Sequence, residues 1–382
     1  MSLTARHLNR TTLERQMLLR RDPVSVLDAV QRVVALQAQE AASPYLALWN
    51  RIDGFDPADL DAAFADRTVV RAPLLRLTLH AVHAEDWPVF HAGMWPMLRA
   101  SRLNDTRFRS TGLSTADADD MLPGLAAFLA TPRDDAEVEQ MIATRLGRHQ
   151  PRLWWALRRF APMHHAPTGG PWSFEAPAYV TAGPAPDPDA WAEAAQRLVL
   201  RYLQGFGPAS ASDIAHFTIF RQPIVRMALD GLAGRVVELP GPRGKTLFDV
   251  ADAALADEHA SAPPRLLPMW DSILLAYADR SRVMPPAYRP LVIRRNGDVL
   301  PTLLVDGYVA GVWRPVERGI EATAFDRLDD EAWAGLAAEA GALLALLAKR
   351  EPAVYARYAH WWPADLPGAD VRVLPHDGGS SG

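Results

Sequence analysis

One pattern is written three times along the first 262 residues: helical stretches opened by polar caps, then two short apolar runs around a turn. A repeated order restricts the fold more than any single element does. In the first copy, the box Thr11-x-x-Glu14 stands ahead of Leu13, Met17 and Leu18 at helical spacing and predicts a first helix. Asp22 as N-cap with Pro23 at the first helical position predicts a second, with Val26, Leu27, Val30, Val33 and Val34 on one face. Asp56-Pro57 opens a third helix carrying Leu60 and Phe64, and the alternation from Val69 to Val82 reads as strands.

The second copy places Asp134 and Asp135 before a helix with Val138, Met141 and Ile142, then a helix with Trp154, Trp155 and Leu157. Gly169-Gly170-Pro171 separates two strand-like runs ending near Val180, and the Pro-rich stretch from Gly183 to Pro188 is a linker. The third copy has a helix ending at Gly205, a cap at Ser210 with Asp213 three residues on, and a helix near Ile224 to Leu232. It closes with Val236–Leu239 and Thr246–Phe248 around a tip holding Arg243 and Lys245. That tip is a basic wing suited to a DNA backbone or groove, or else a solvated loop.

Helices followed by a β-hairpin give the winged-helix order. The expected fold is α+β, mainly helical: three tandem winged-helix units (1–115, 116–190 and 191–262) and a C-terminal β-meander with a helix (263–382). In that last part, Asn296-Gly297 between Leu291–Ile293 and Val299–Leu300 predicts a hairpin, Asp306-Gly307 predicts a second turn, and residues from about Asp330 to Arg350 predict a long helix. The end from His376 is expected to be flexible.

Composition removes whole classes of chemistry. The chain of 382 residues contains no cysteine, which excludes disulfides, thiolate metal sites and cysteine nucleophiles. An apolar fraction of 49% and a charged fraction of 22% are those of a globular protein. The arginines between Arg6 and Arg21 interrupt any apolar core at the start, so neither a signal peptide nor a membrane anchor is expected, and the cytoplasm, in association with the nucleoid, is the expected location. A net charge of −5 means that any DNA-binding surface has to be local. Nearly every cation is arginine, which suits bidentate phosphate contact, though GC-rich coding would give the same bias.

No Walker loop, dinucleotide fingerprint, nucleophile elbow or His-Glu-x-x-His motif is present. His80 with His83, and His164-His165, lack a third ligand at useful spacing. What stands out is Leu36-Gln37-Ala38-Gln39-Glu40, where the second helix loses its apolar period. In a helix the two glutamines would point about 200° apart, whereas in an extended exit both project on one side and can converge on a small target. The bland alternative is two amides capping a helix end. Arg76, Thr78 and His80 alternate with leucines, so a strand would put them on one face, either bordering the site or facing solvent. Arg294 and Arg295, beside the Asn-Gly turn, are candidates for phosphate or minor-groove contact, or charges guarding an edge strand. Asp271 and Asp279 are the reserve carboxylates, with Asp279 beside Arg280 also readable as an ion pair.

The run from Leu8 to Val82, with Leu36–Gln39 and Arg76-Leu77-Thr78-Leu79-His80, resembles the winged-helix DNA glycosylases of the AlkZ and YcaQ type. The resemblance continues through Phe206–Ala209, Leu267–Asp271, Ala278–Arg280 and Leu304–Gly307. It implies tandem winged-helix units around a concave DNA-binding face, a catalytic Gln-x-Gln or Gln-x-Asp motif and a hairpin probing the minor groove. Gln37 and Gln39 match the first form, that of the AlkZ-like branch associated with self-resistance to alkylating natural products.

The implied chemistry suits neutral amides. Glycosidic hydrolysis passes through an oxocarbenium-like state, and enzymes usually supply a carboxylate. Glutamine is no base, but it can orient water. That suffices when an N7- or N3-alkylated purine already carries positive charge and departs neutral. Gln37 and Gln39 are therefore expected to hold the attacking water, with Arg76, Thr78, His80, Arg243, Lys245, Arg294 and Arg295 supporting the site or contacting DNA. No metal, organic cofactor, membrane or obligate protein partner is expected, and the chain is expected to be a monomer acting on duplex DNA with alkylated bases. The competing readings are a non-enzymatic winged-helix regulator and a lesion-sensing protein.

Overall fold

A computed structural model describes residues 3–362 and 370–374; the expectation for the end from His376 lies outside these. The first region runs α1 (Ala5–Arg15), α2 (Val26–Val33), β1 (Leu36–Gln37), α3 (Ser43–Trp49), α4 (Pro57–Ala65), β2 (Val69–Pro73) and β3 (Leu79–His83). The second runs α5 (Trp87–Leu103), α6 (Thr106–Arg109), α7 (Thr115–Phe128), β4 (Arg133–Asp134), α8 (Asp135–Leu146), α9 (Pro151–Phe160), β5 (Met163–His165) and β6 (Ala178–Thr181). The third holds α10 (Trp191–Phe206), α11 (Ala211–Thr218), α12 (Gln222–Asp230), β7 (Val236–Pro240) and β8 (Thr246–Val250). The last holds β9 (Arg265–Leu267), α13 (Arg289–Val292), β10 (Thr302–Val305), β11 (Tyr308–Val316), β12 (Gly319–Ala324), α14 (Asp330–Ala348) and β13 (Asp370–Leu374). The fold is α+β with antiparallel sheets.

Each of the first three regions repeats one topology. A helix leads into a short extended segment, two helices follow, and a hairpin closes back on that segment. β1 pairs with β3, β4 with β6, and Ala209 bridges to Phe248 in β8. The hairpins of the first two regions join edge to edge through Arg71 and His165, making one six-stranded sheet in the order β1-β3-β2-β5-β6-β4.

Several caps sit where the sequence predicts them, because a side-chain oxygen satisfies an orphan backbone N–H at the helix start. Asp56, Asp134 and Ser210 cap α4, α8 and α11, the last two with full capping boxes. Two caps differ. α1 starts earlier, at Thr4, leaving Thr11 buried within the helix and bonded to the Ala256 N–H. Ser25, not Asp22, caps α2, and Asp22 instead joins Arg20 and Arg32 in an ion-pair network. The Asn296-Gly297 turn forms, but its flanks are not strands: Ile293 and Val299 make a single bridge, and Leu291 and Val292 lie in α13. Pro290 is the reason, since a residue without an N–H suits the first turn of a helix better than a ladder.

The apolar interior forms two large clusters. One packs α1 to α4 against the C-terminal five-stranded sheet, of order β13-β12-β11-β10-β9, and the buried face of α14. The other packs the outer face of the β2–β3 hairpin with α5 to α12. The first is bolted by polar contacts as well. Arg51 donates twice to Asp271, at 2.8 and 2.9 Å, with both side chains fully buried. Asn9 donates to the Gly307 carbonyl at 2.8 Å, gripping the two-residue turn between β10 and β11.

Candidate active site

α2 ends at Val34, whose positive φ of 73° breaks the helix and turns the chain outward. Extended pairing then sets Leu36 opposite Ala81 and Gln37 opposite His80, and the Ala38 N–H donates to Leu79 O at 2.8 Å. The predicted extended exit is thus present. The two amides, however, do not share a setting: Gln37 is buried, with 4% exposure, while Gln39 lies past the strand end and is exposed.

The expected continuous strand through Arg76 is interrupted. β2 and β3 are joined by a tight turn over Leu75–Leu77, closed by Leu74 N–H to Thr78 O at 2.9 Å. Arg76 and Leu77 both hold positive φ, 50° and 59°, a region that L-residues enter at a steric cost. The turn does what the strand was expected to do by other means: it brings Arg76, Thr78 and His80 onto Gln37. Arg76 Nη2 donates to Gln37 Oε1 at 2.9 Å and to His80 Nε2 at 3.2 Å. Thr78 Oγ1 lies 3.2 Å from Gln37 Oε1 and 3.1 Å from Leu75 O, so its one proton is shared between them.

These partners decide the orientation of the groups. A guanidinium only donates, so the Gln37 oxygen faces it and the amide nitrogen faces away, with no partner for Nε2 among the described residues. By the same logic His80 Nε2 is bare, and Nδ1–H donates to Thr78 O at 3.1 Å. Burial, then the Arg76 charge, holds the His80 pKa well below the usual histidine range. His80 is a neutral spacer; with 1% exposure it is out of reach of DNA. Arg76 itself is pushed down to about 10, by burial and then by Arg280, and stays cationic at neutral pH. It rests over the Phe217 ring at 5.4 Å, and its Nη1 is buried without a partner among the described residues.

Arg71 was not singled out from the sequence. Its Nε donates at 3.0 Å to Ala38 O, the carbonyl between the two glutamines, and its guanidinium lies 4.7 Å from the Phe174 ring centroid. The available signal was one arginine inside the apolar run Val69-Val70-Arg71-Ala72-Pro73, a placement that demands a buried acceptor. Glu40 pairs with Arg357 at the site's rim.

The remaining candidates lie elsewhere. Lys245 Nζ meets Asp279 at 2.8 Å and Arg243 meets it at 3.6 Å on the β7–β8 tip, so Asp279 partners this tip and not Arg280. Its pKa is driven far down by hydrogen bonds from Lys245 and then Ser281. Arg280 instead donates to Leu274 O at 2.8 Å and to His216 Nε2 at 3.0 Å. Arg294 and Arg295 occupy the separate Asn-Gly turn, and Arg295 is exposed. Asp271, locked to Arg51, is structural.

The arrangement offers neutral amides at its opening and cations behind them, with no carboxylate among the contacts of Gln37. The family model for AlkZ-like DNA glycosylases matches residues 30–346. An interstrand DNA cross-link repair glycosylase of Streptomyces sahachiroi is 25% identical over 338 residues, covering 82% of this chain and 88% of that protein. The solved structure of the Streptomyces sahachiroi DNA glycosylase AlkZ superposes with a TM-score of 0.74 at 21% identity, covering 90% of this chain and 96% of that one. With the model spanning most of its length, the chain belongs to the AlkZ-like DNA glycosylases.

Proposed function

We propose that this glycosylase is monofunctional and hydrolyses the glycosidic bond of cationic N7- or N3-alkylated purines in duplex DNA. We read its first three regions as tandem winged-helix units (1–115, 116–190 and 191–262), with 263–382 as the C-terminal part. The enzyme acts as a monomer in the cytoplasm, without metal or organic cofactor. Unhooking of interstrand crosslinks and self-resistance to an alkylating natural product are the roles that this chemistry would serve.

The observation that carries the reading is the fixed amide of Gln37. Its oxygen is taken by Arg76, so it offers only N–H. Gln39, exposed, keeps its carbonyl for a water hydrogen. Between them the two can hold a water by one donor and one acceptor, which places a nucleophile without generating hydroxide. The chemistry then falls on the lesion: a cationic purine is a good leaving group without an acid. Arg76 stands behind the Gln37 amide as its positioning group. Arg243, Lys245, Arg294 and Arg295 are phosphate or groove contacts in this scheme.

The test is release of base from duplex DNA carrying N7-methylguanine. A Gln37→Ala, Gln39→Ala double variant should lose on the order of 100-fold in rate, the scale set by removal of a positioned polar group from an active site. Unchanged release would defeat the proposal.

A further inference from the structure

Where α5, α6 and α9 meet, two guanidiniums stack on one indole. Arg102 lies 4.1 Å and Arg107 4.3 Å from the Trp155 ring centroid. Arg158 and Arg159 follow on α9. Like charges gathered this closely repel one another, and the carboxylates at hand offset only part of that. Asp105 pairs with Arg107 at 2.9 Å and Asp135 with Arg158 at 3.5 Å. Arg102 and Arg159 have no carboxylate partner among the described residues. Burial, then the neighbouring cations Arg107 and Arg158, lowers the Arg102 pKa; burial, then Arg102 and Arg158, pushes Arg159 down to about 10.

Packing alone does not require such a cluster. Trp155 would pack equally well under one methylene stem, and a solvated surface would disperse the charges. A polyanion relieves the repulsion, and a guanidinium held over an aromatic ring is already ordered for a phosphate. The cluster also touches the candidate site: Arg159 Nη1 donates at 2.5 Å to Leu77 O, in the turn that brings Arg76 and Thr78 to Gln37.

We infer that the Arg102–Arg107–Trp155–Arg158 surface is a phosphate-backbone contact for duplex DNA, registering the duplex against the turn that supports Gln37. It requires that the chain bind DNA, as its family does, and is independent of which groups perform the chemistry. Arg159 stays out of the test because it holds the turn.

Binding of an unmodified fluorescent duplex to the full chain is measured by anisotropy across a salt series. Arg102→Gln, Arg107→Gln and Arg158→Gln together should weaken binding at least tenfold at low salt. They should also flatten the slope of log K against log salt by about 0.9 for each phosphate no longer neutralised. Arg318→Gln with Arg327→Gln, removing exposed charge from the C-terminal part, should leave the slope unchanged. Gln37→Ala with Gln39→Ala should also leave it unchanged, which separates this surface from the catalytic proposal. If the triple variant is unstable, Arg107→Gln alone, at a side chain 58% exposed, should still lower the slope by about 0.9. An unaltered slope in either arginine variant, or an equal drop in the C-terminal control, overturns the inference.

Discussion

Replacing Arg76 with Met tests whether the Gln37 amide works because it is held. Methionine keeps most of the buried stem and removes both hydrogen bonds that Nη2 makes. Gln37 Oε1 then retains only the contested Thr78 hydroxyl, at 3.2 Å, and the amide can turn over. A hydrogen bond from a charged group contributes about 1.5–3 kcal/mol, and if all of that goes into orienting the amide, the rate falls roughly 10- to 100-fold. Thr78→Val removes a shared neutral bond of about 0.5–1.5 kcal/mol, a loss of roughly 2- to 10-fold. The assay is single-turnover release of N7-methylguanine beside the dissociation constant for the same duplex. A positioning role lowers the rate and leaves binding nearly unchanged. Wild-type turnover by Arg76→Met would refute the argument; parallel losses in rate and binding would mean that Arg76 touches the DNA itself.

Two further outcomes concern stability. Asp271→Asn leaves the Arg51 charge fully buried and should cost about 3–5 kcal/mol in urea unfolding, whereas Arg51→Met with Asp271→Leu should recover most of it. Acid should also destabilise the fold: burial holds His91 and His164 down to about 4, and holds His80 well below the usual histidine range. Their folded pKa values lie below the unfolded value, so the stability they contribute is complete above about pH 6.5 and is lost as pH falls toward 4, by up to about 1.4 kcal/mol per pH unit for each histidine. Thermal midpoints measured from pH 7.5 to 5 should fall on the acid side; a flat profile would contradict the burial argument.

The parts legible in the sequence were those with local physical causes. Asp56, Asp134 and Ser210 announce helix starts because each satisfies an N–H within its own turn. The exit of the chain at Leu36 was legible from the end of apolar periodicity. α3 was not, since all seven of its residues are buried and no polar face marks the period. Nor was the turn at Arg76-Leu77, where positive φ values fall on residues that no turn rule selects. Its geometry is imposed by the sheet on one side and Phe217 on the other. Both glutamines could be picked out, but their unequal exposure depends on Arg71 and Arg76, which tertiary pairing alone brings to them.

The strand that holds Gln37 is wedged between the two halves of the interior. Val34 and Ala35 belong to one cluster, Leu36 and Ala38 to the other, and Ser272 reaches back to bond the Ala35 carbonyl at 2.8 Å. The side chains that hold the Gln37 amide come from the neighbouring hairpin, whereas the strand that carries it is also pinned from a segment 237 positions away, through Ser272. The setting of the motif is therefore not a local property of the first hairpin: loosening the C-terminal packing around Ser272 would be felt in the strand that carries Gln37.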